Sequence, residues 1–268
     1  MTSSAARSEA CDTVHAFGLL AIVTAMPEEA EAIIGSLDGD AETTERGRRV
    51  FHSGMLRGHQ VVVVVSRVGK VAAAATTTEL ITGFGVDAII FTGVAGGLGP
   101  GVGVGDLVIA TELVQHDLDA RPLWPKHIVP LLETGWFRTD ERLTAALRHG
   151  AETFAASGAA PRPEGGDARR QPRPCVHSGL IASGDLFVTS ADDAARIRSD
   201  LPKTLCVEME GAAAAQVAHE YGVPFAVCRV VSDRADGDAA AHFEASLGSI
   251  AAACSAGVIA SALGVAAT

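Results

Sequence analysis

Aromatic residues are scarce in this chain: 268 positions carry nine Phe, two Trp and one Tyr, 4% in all. An apolar share of 48% must therefore come chiefly from Ala, Val, Ile and Leu, which is still ample for a substantial core. Basic residues are also in short supply, 21 Lys and Arg against 32 Asp and Glu, for a formal charge of −11. Nucleic acids and anionic membranes are bound by clustered cations, so neither is an expected partner. The five cysteines (Cys11, Cys175, Cys206, Cys228, Cys254) form no C-x-x-C pair. Their odd number and wide spacing suit a reduced, cytoplasmic protein rather than a disulfide scaffold. Residues Met1 to His15 include Arg7, Glu9 and Asp12 and are too polar for a secretory signal. They read as a disordered leader ahead of one domain over residues 16–268. The apolar run Phe17 to Ala25 is far too short to span a bilayer.

Several familiar chemistries lack their motif. The glycines of "FTGVAGGLGPGVGVGD" (Phe91 to Asp106) run on into an apolar strand instead of opening a helix, which argues against a dinucleotide fingerprint. Gly69-Lys70 in "SRVGKV" has no glycine five positions before Gly69, so there is no Walker loop. "ASGD" around Ser183 is not a nucleophile elbow. "QHDLDA" offers His116, Asp117 and Asp119, but no second cluster has ligand spacing, and no metal site is expected.

What is present is an alternation of buried-strand and helix patterns. "FGLLAIVTA" is a strand, and "MPEEAEAIIGSL" a helix with Pro27 in its first turn. A hairpin turning at Arg57-Gly58 leads into the valine run Val61 to Val65. A helix from Lys70 to Phe84 ends at Gly85, the strand "VDAIIFTGV" follows, and "VGDLVIATELVQHDLDA" is a further strand leading into a loop. After a helix over about Thr139 to Phe154, residues 155–178 are rich in Pro, Gly and Arg and read as a surface insertion. The pattern resumes with "GLIASGDLF", a helix over Asp192 to Arg198, the strand "LCVEM", an alanine-rich helix, the strand "PFAVCRVVSD" and a closing helix over about Phe243 to Leu263. Such alternation predicts an α/β fold with a mainly parallel or mixed sheet and helices on both faces.

Acids recur where strands give way to helices: Glu28 and Glu29, Glu208 and Glu210, and Asp233 after Ser232. Each alone could be a helix cap or a favourable charge at a helix start, worth about 0.3–1 kcal/mol. Ligands of open α/β sheets bind beyond the carboxyl ends of strands, so three such junctions together suggest a cleft with two or more carboxylates.

The pieces "AMPEE", "SRVGKVAAA", "TGVAGGL", "VGDLVIA", "GLIASGDLF", "VEMEGAA" and "VPFAVCRVVSDRAD", in that order, resemble the purine nucleoside phosphorylase superfamily. Within it the chain is similar to 5′-methylthioadenosine/S-adenosylhomocysteine nucleosidases. The resemblance implies a three-layer α/β/α sandwich around a mixed central sheet, a homodimer, a role in methionine salvage and no metal or organic cofactor. It implies hydrolysis of the bond between adenine and a 5′-thio-substituted ribose. Carried over by position, Asp233 would protonate adenine and Glu29 would orient or activate the attacking water. Glu210 would hold the ribose hydroxyls with Met209 against the sugar, while Ala95 and Gly96 line the ribose side. Phe187 would stack on adenine, the Val188 backbone would read its edge, and Phe243 would close the 5′ pocket. Ser232 and Arg229 would support the catalytic carboxylates, and Met26 and Glu208 complete the substrate-binding set.

A phosphorylase is the rival reading. Phosphate would be repelled by a glutamate at position 29, although Arg67 is a cation that could face the same cleft. A nucleosidase acting on futalosine, AMP or another adenosine derivative is a further alternative. Two departures bear on substrate choice. Val94 stands where the family commonly has a small hydroxyl residue. Residues Arg121 to Phe137 replace an aromatic segment that reaches the neighbour's pocket, with Leu123 and Trp124 as the apolar side chains available there.

Overall fold

The structure, a computed structural model, describes residues 14, 16–159, 173–246 and 250–264. Of the expected leader, residues 1–13 and 15 lie outside them and Val14 is buried in the core, while the centre of the expected insertion, residues 160–172, also lies outside. The order of elements is β1 (Leu19–Thr24), α1 (Pro27–Ile34), β2 (Asp38–Arg46), β3 (Arg49–Leu56), β4 (His59–Val65) and α2 (Lys70–Glu79), which runs into a π-helical turn (Leu80–Phe84). Then come β5 (Ala88–Gly97), β6 (Leu107–Gln115), β7 (Trp136–Arg138), α3 (Glu141–Ser157), β8 (Val176–Ser183) and α4 (Ala191–Asp200). The chain closes with β9 (Thr204–Glu208), α5 (Gly211–Tyr221), β10 (Phe225–Asp233), α6 (Ala239–Ser246) and α7 (Ala252–Ala262).

The expected mixed sheet is present. β1 is parallel to β4 and β5, whereas β2, β3 and β4 form an antiparallel meander. β10 pairs with both β5 and β6, while β9 bridges β5 and β8, and β8 pairs with β6. Those five strands close on themselves, β7 adds to β6, and β1, β4, β3 and β2 extend the sheet from β5 as an open wing.

Side-chain alternation along the strands explains why both faces are covered. Leu20, Ile22, Val61 and Val63 face one core, which α1, α3 and α7 complete with Ile33, Leu143, Leu147 and Val258. Ala21, Val23, Val62 and Val64 face the other, where α2 and α5 contribute Ala73, Ala212, Ala214 and Ala218. Small alanines let those helices lie close to the strands. A one-residue slip of β1 or β4 would exchange these two sets of side chains.

The helix starts follow local chemistry. Asp140 caps α3, its Oδ1 accepting from Arg142 N at 3.0 Å and Leu143 N at 2.9 Å. Ser190 caps α4 by accepting from Asp193 N at 3.1 Å. Three expectations need correction. β2 was not foreseen, because "DGDAETTER" is a polar strand with no apolar alternation, exposed over most of its length. The predicted helix from Lys70 to Phe84 changes to a π turn over its last five residues. The predicted closing helix corresponds to two helices, α6 and α7. Among the described residues no helix is long and apolar enough to cross a membrane.

Candidate active site

The C-terminal ends of β5, β9 and β10 meet the start of α1 and the start of α2 around a cavity of about 370 Å³. All but two of the substrate-site candidates line it, including Met26, Ala95, Gly96, Phe187, Met209, Glu210, Ser232, Asp233 and Phe243. Val188 borders a small annex that shares Phe187 and Asp233 with the main cavity. Glu29 lies just behind the wall, fully buried, with the wall residues Ala25, Met26 and Val94 as its hydrogen-bond donors.

Arg229 is the centre of the charge arrangement. It is fully buried on β10, its guanidinium 4.6 Å from the ring centroid of Phe91. Nη2 donates to Glu208 and lies 3.7 Å from Glu210 Oε2. Burial alone would lower its pKa, but Glu208 and Glu210 outweigh that and hold it above the ordinary arginine value. Nε and Nη1 have no hydrogen-bond partner among the described residues. A Cβ built on Gly93 would come within 2.7 Å of Arg229 Nη1 and 3.1 Å of Glu29 Oε1. Only a residue without a side chain lets the guanidinium and the Glu29 carboxylate converge there.

The two acids around Met209 have different surroundings. Glu208 accepts from Arg229, from the Ser183 hydroxyl, from Glu210 N at 3.1 Å and from Gly211 N at 2.8 Å. Both of its oxygens are therefore occupied by protein groups. Glu210 accepts one hydrogen bond, from Gly69 N at the start of α2 at 2.9 Å, and borders the cavity. Burial, reinforced by the neighbouring Glu208, pushes its pKa up to about 8 against the opposing pull of Arg229 and Gly69 N–H.

Glu29 takes Ala25 N and Met26 N on Oε2, both at 3.1 Å, and Val94 N on Oε1 at 3.1 Å. Burial raises its pKa, while Arg229 and those three N–H groups work the other way. Asp233 is held by Ser232 Oγ–H at 2.8 Å and by Ala235 N–H at 2.8 Å. Burial raises its pKa too, despite both donors. Plain alternation would send Ser232 and Asp233 to opposite faces. A register shift between Val231 and Asp233, where β10 pairs with β5, lets both border the cavity. Phe187 and Phe243 meet edge to face across its rim, centroids 5.3 Å apart.

Other residues singled out in the sequence lie elsewhere. Arg67 points into an adjoining cleft, donating to the Arg48 carbonyl. Asp117 pairs with Lys70 at 2.7 Å, and Asp119 with Arg121. Leu123, 78% exposed, does not border this chain's own cavity. Val68, which lines the cavity, and Gly69 and Ser183, which hold the two glutamates, were not foreseen. Gly69 offered one signal: a glycine before a helix start exposes an N–H that a carboxylate can take.

The sequence matches the phosphorylase superfamily over residues 19–263. It is 40% identical over 226 residues to the 5′-methylthioadenosine/S-adenosylhomocysteine nucleosidase of Actinobacillus succinogenes, covering 84% of this chain and 90% of that one. The fold superposes on the corresponding enzyme from Neisseria meningitidis in complex with methylthio-immucillin-A with a TM-score of 0.81 and 37% identity, covering 91% and 97% of the two chains. A futalosine hydrolase mutant from Helicobacter pylori gives a TM-score of 0.78 at 32% identity, over 91% of this chain and 98% of that one. The chain belongs to the phosphorylase superfamily and, within it, to the 5′-methylthioadenosine/S-adenosylhomocysteine nucleosidase family.

Proposed function

We propose that the protein hydrolyses the N-glycosidic bond of 5′-methylthioadenosine and S-adenosylhomocysteine, releasing adenine and the 5′-thio-substituted ribose. The observation that carries this reading is the division of charge across one cavity. Glu29, Arg229 and Glu210 converge at one side, and Asp233 stands on β10 with its pKa raised.

Breaking the bond leaves positive charge on the sugar and an electron pair on adenine. Asp233, whose hold on a proton burial strengthens, would give that proton to the departing base. Water would add to the anomeric carbon, and Glu29 would take the proton it releases. Burial makes Glu29 a better base, while three N–H donors fix its orientation. Glu210 would accept from the ribose hydroxyls and counter the sugar's charge. Phe187, Met209 and Phe243 would enclose base and sugar, with the Val188 backbone at the purine edge.

Water is favoured over phosphate as the nucleophile. Arg229 is the sole cation among the cavity's lining residues, and it is already paired with Glu208. A phosphate dianion would meet Glu29 and Glu210 without a free counter-charge among the lining residues. The family also suggests a homodimer, a cytoplasmic enzyme and a part in methionine salvage. The exposed Leu123 and Leu131 support an apolar contact between copies. A second reading, hydrolysis of futalosine, draws on the Helicobacter pylori neighbour.

The test is adenine release from 5′-methylthioadenosine, S-adenosylhomocysteine and futalosine, each with and without inorganic phosphate. The expected result is phosphate-independent release from the two thio-nucleosides, and loss of most turnover in a folded Asp233→Asn variant. Release that requires phosphate would overturn the hydrolase reading, and futalosine as the preferred substrate would replace it with the second.

A further inference from the structure

A second cleft of about 430 Å³ opens beside the first and shares Ala25, Met26 and Val68 with it. Its far wall carries Arg48, Arg49 and Arg67. None of the three has a carboxylate within ion-pair distance among the described residues, in a protein whose net charge is −11. Arg49 donates Nη1 to the Gly47 carbonyl at 3.1 Å and Nη2 to the Ala72 carbonyl at 3.3 Å, but its buried Nε has no partner. Arg67 donates to the Arg48 carbonyl, tying the cations to one another. Burial and the neighbouring charge of Arg67 push the Arg49 pKa below the ordinary arginine value.

Backbone geometry adds a second observation. Arg48 has φ +60° and Arg67 φ +74°, both in the left-handed region that glycine adopts freely. For a residue with a Cβ that conformation is strained. The two-residue hairpin turn between β2 and β3 accounts for the positive φ of Gly47 and Arg48, but Arg67 lies in no such turn, and three guanidiniums gathered without a carboxylate partner point to an anionic ligand.

The position of the cleft selects the ligand. Within the nucleoside cavity, Asp233 and Phe187 define the base end, and Glu210, held by Gly69 N–H, the sugar. Val68 precedes Gly69 and belongs to both cavities, so the second cleft begins beyond the sugar, where a 5′ substituent leaves it. Met26, Val50 and Val68 give it an apolar approach suited to a thioalkyl chain before the arginines are reached.

We infer that this cleft is a subsite for a carboxylate carried on the 5′-thio substituent, held by Arg67 and Arg49 with Arg48 beside them. The inference rests on the nucleosidase reading and extends it: the enzyme favours 5′-thioalkyl adenosines that end in a carboxylate over uncharged ones of equal length.

The probes are 5′-(3-carboxypropylthio)adenosine and 5′-butylthioadenosine, which differ in that carboxylate. Their dissociation constants are measured in the Asp233→Asn background, alone and combined with Arg67→Gly, and their kcat/KM values in wild type and Arg67→Gly. Glycine relieves the left-handed strain, so the variant should fold. The expected result is a preference for the carboxylate probe that falls about tenfold on Arg67→Gly and weakens with added salt. An affinity ratio unchanged by Arg67→Gly, or a wild-type preference for the butyl probe, would overturn the subsite. Binding that keeps the carboxylate preference without adenine release from either probe would support the subsite and fault the hydrolytic reading alone.

Discussion

Glu208 and Glu210 flank Met209 at the end of β9, and their hydrogen-bond partners imply opposite outcomes on neutralisation. Glu208 satisfies Arg229, Ser183 and two backbone N–H groups, so Glu208→Gln would turn an amide N–H2 toward donors. Leaving buried donors unpaired costs about 1–3 kcal/mol each, and the change should lower stability in a urea titration by at least that much. Glu210 holds a single N–H, and burial disfavours its charge. At pH 5.5 Glu210→Gln should keep the urea midpoint, and it should reduce kcat by roughly 10²-fold, because the contact it loses forms to the charged sugar of the transition state. Equal stability losses in the two variants would remove the distinction drawn between them.

At the scale of the element, the site depends on β5 and β10 lying close together. Gly93 on β5 allows it: an alanine Cβ would stand 2.7 Å from Arg229 Nη1 and 3.1 Å from Glu29 Oε1. Gly93→Ala should therefore strain a backbone held at φ +155°, displace the guanidinium, and lower kcat/KM by about 10²-fold, as a misplacement near 1 Å does elsewhere. A near-normal rate would mean that the Arg229–Glu29 approach is incidental. Much of this architecture was legible because β1, β4, β5 and β10 are apolar runs of strand length with acids or serine at their ends. The glycine-rich stretch was harder to interpret. Glycine density did not reveal that Gly93 and Gly96 serve close packing inside a strand, with a Cβ at Gly96 coming 2.9 Å from Asp233 Oδ1. Strand β2 escaped notice because an edge strand facing solvent needs no apolar alternation. Closure of β5, β10, β6, β8 and β9 into a ring also left no local trace, since it joins strands far apart in sequence. The separate fates of Arg67 and Arg229 could not be read from charge either. Both follow apolar runs, and only the backbone path sends one into the cavity and the other into the cleft beside it.

For the whole molecule, a cavity that concentrates buried acids makes folding depend on pH in a defined direction. Glu29, Glu210 and Asp233 all have pKa values raised by burial, so each binds its proton more tightly in the folded than in the unfolded chain. Their contribution is fully present below the unfolded values near 4–4.5 and is lost as pH rises through the folded ones. For Glu210 that window reaches about 8. The difference in Tm between Glu210→Gln and wild type cancels every other titrating group and isolates the glutamate. That difference should grow in favour of the variant from pH 5.5 to pH 8.5, by roughly 2–8 °C if the buried charge costs on the order of 1–2 kcal/mol. Differential scanning calorimetry without ligand measures it directly, and a pH-independent difference would show that Glu210 titrates as an ordinary carboxylate. A substrate that donates hydrogen bonds to the ionised glutamate should narrow the gap. The same carboxylate would then weaken the empty fold at neutral pH and stabilise the charged sugar when the cavity is filled.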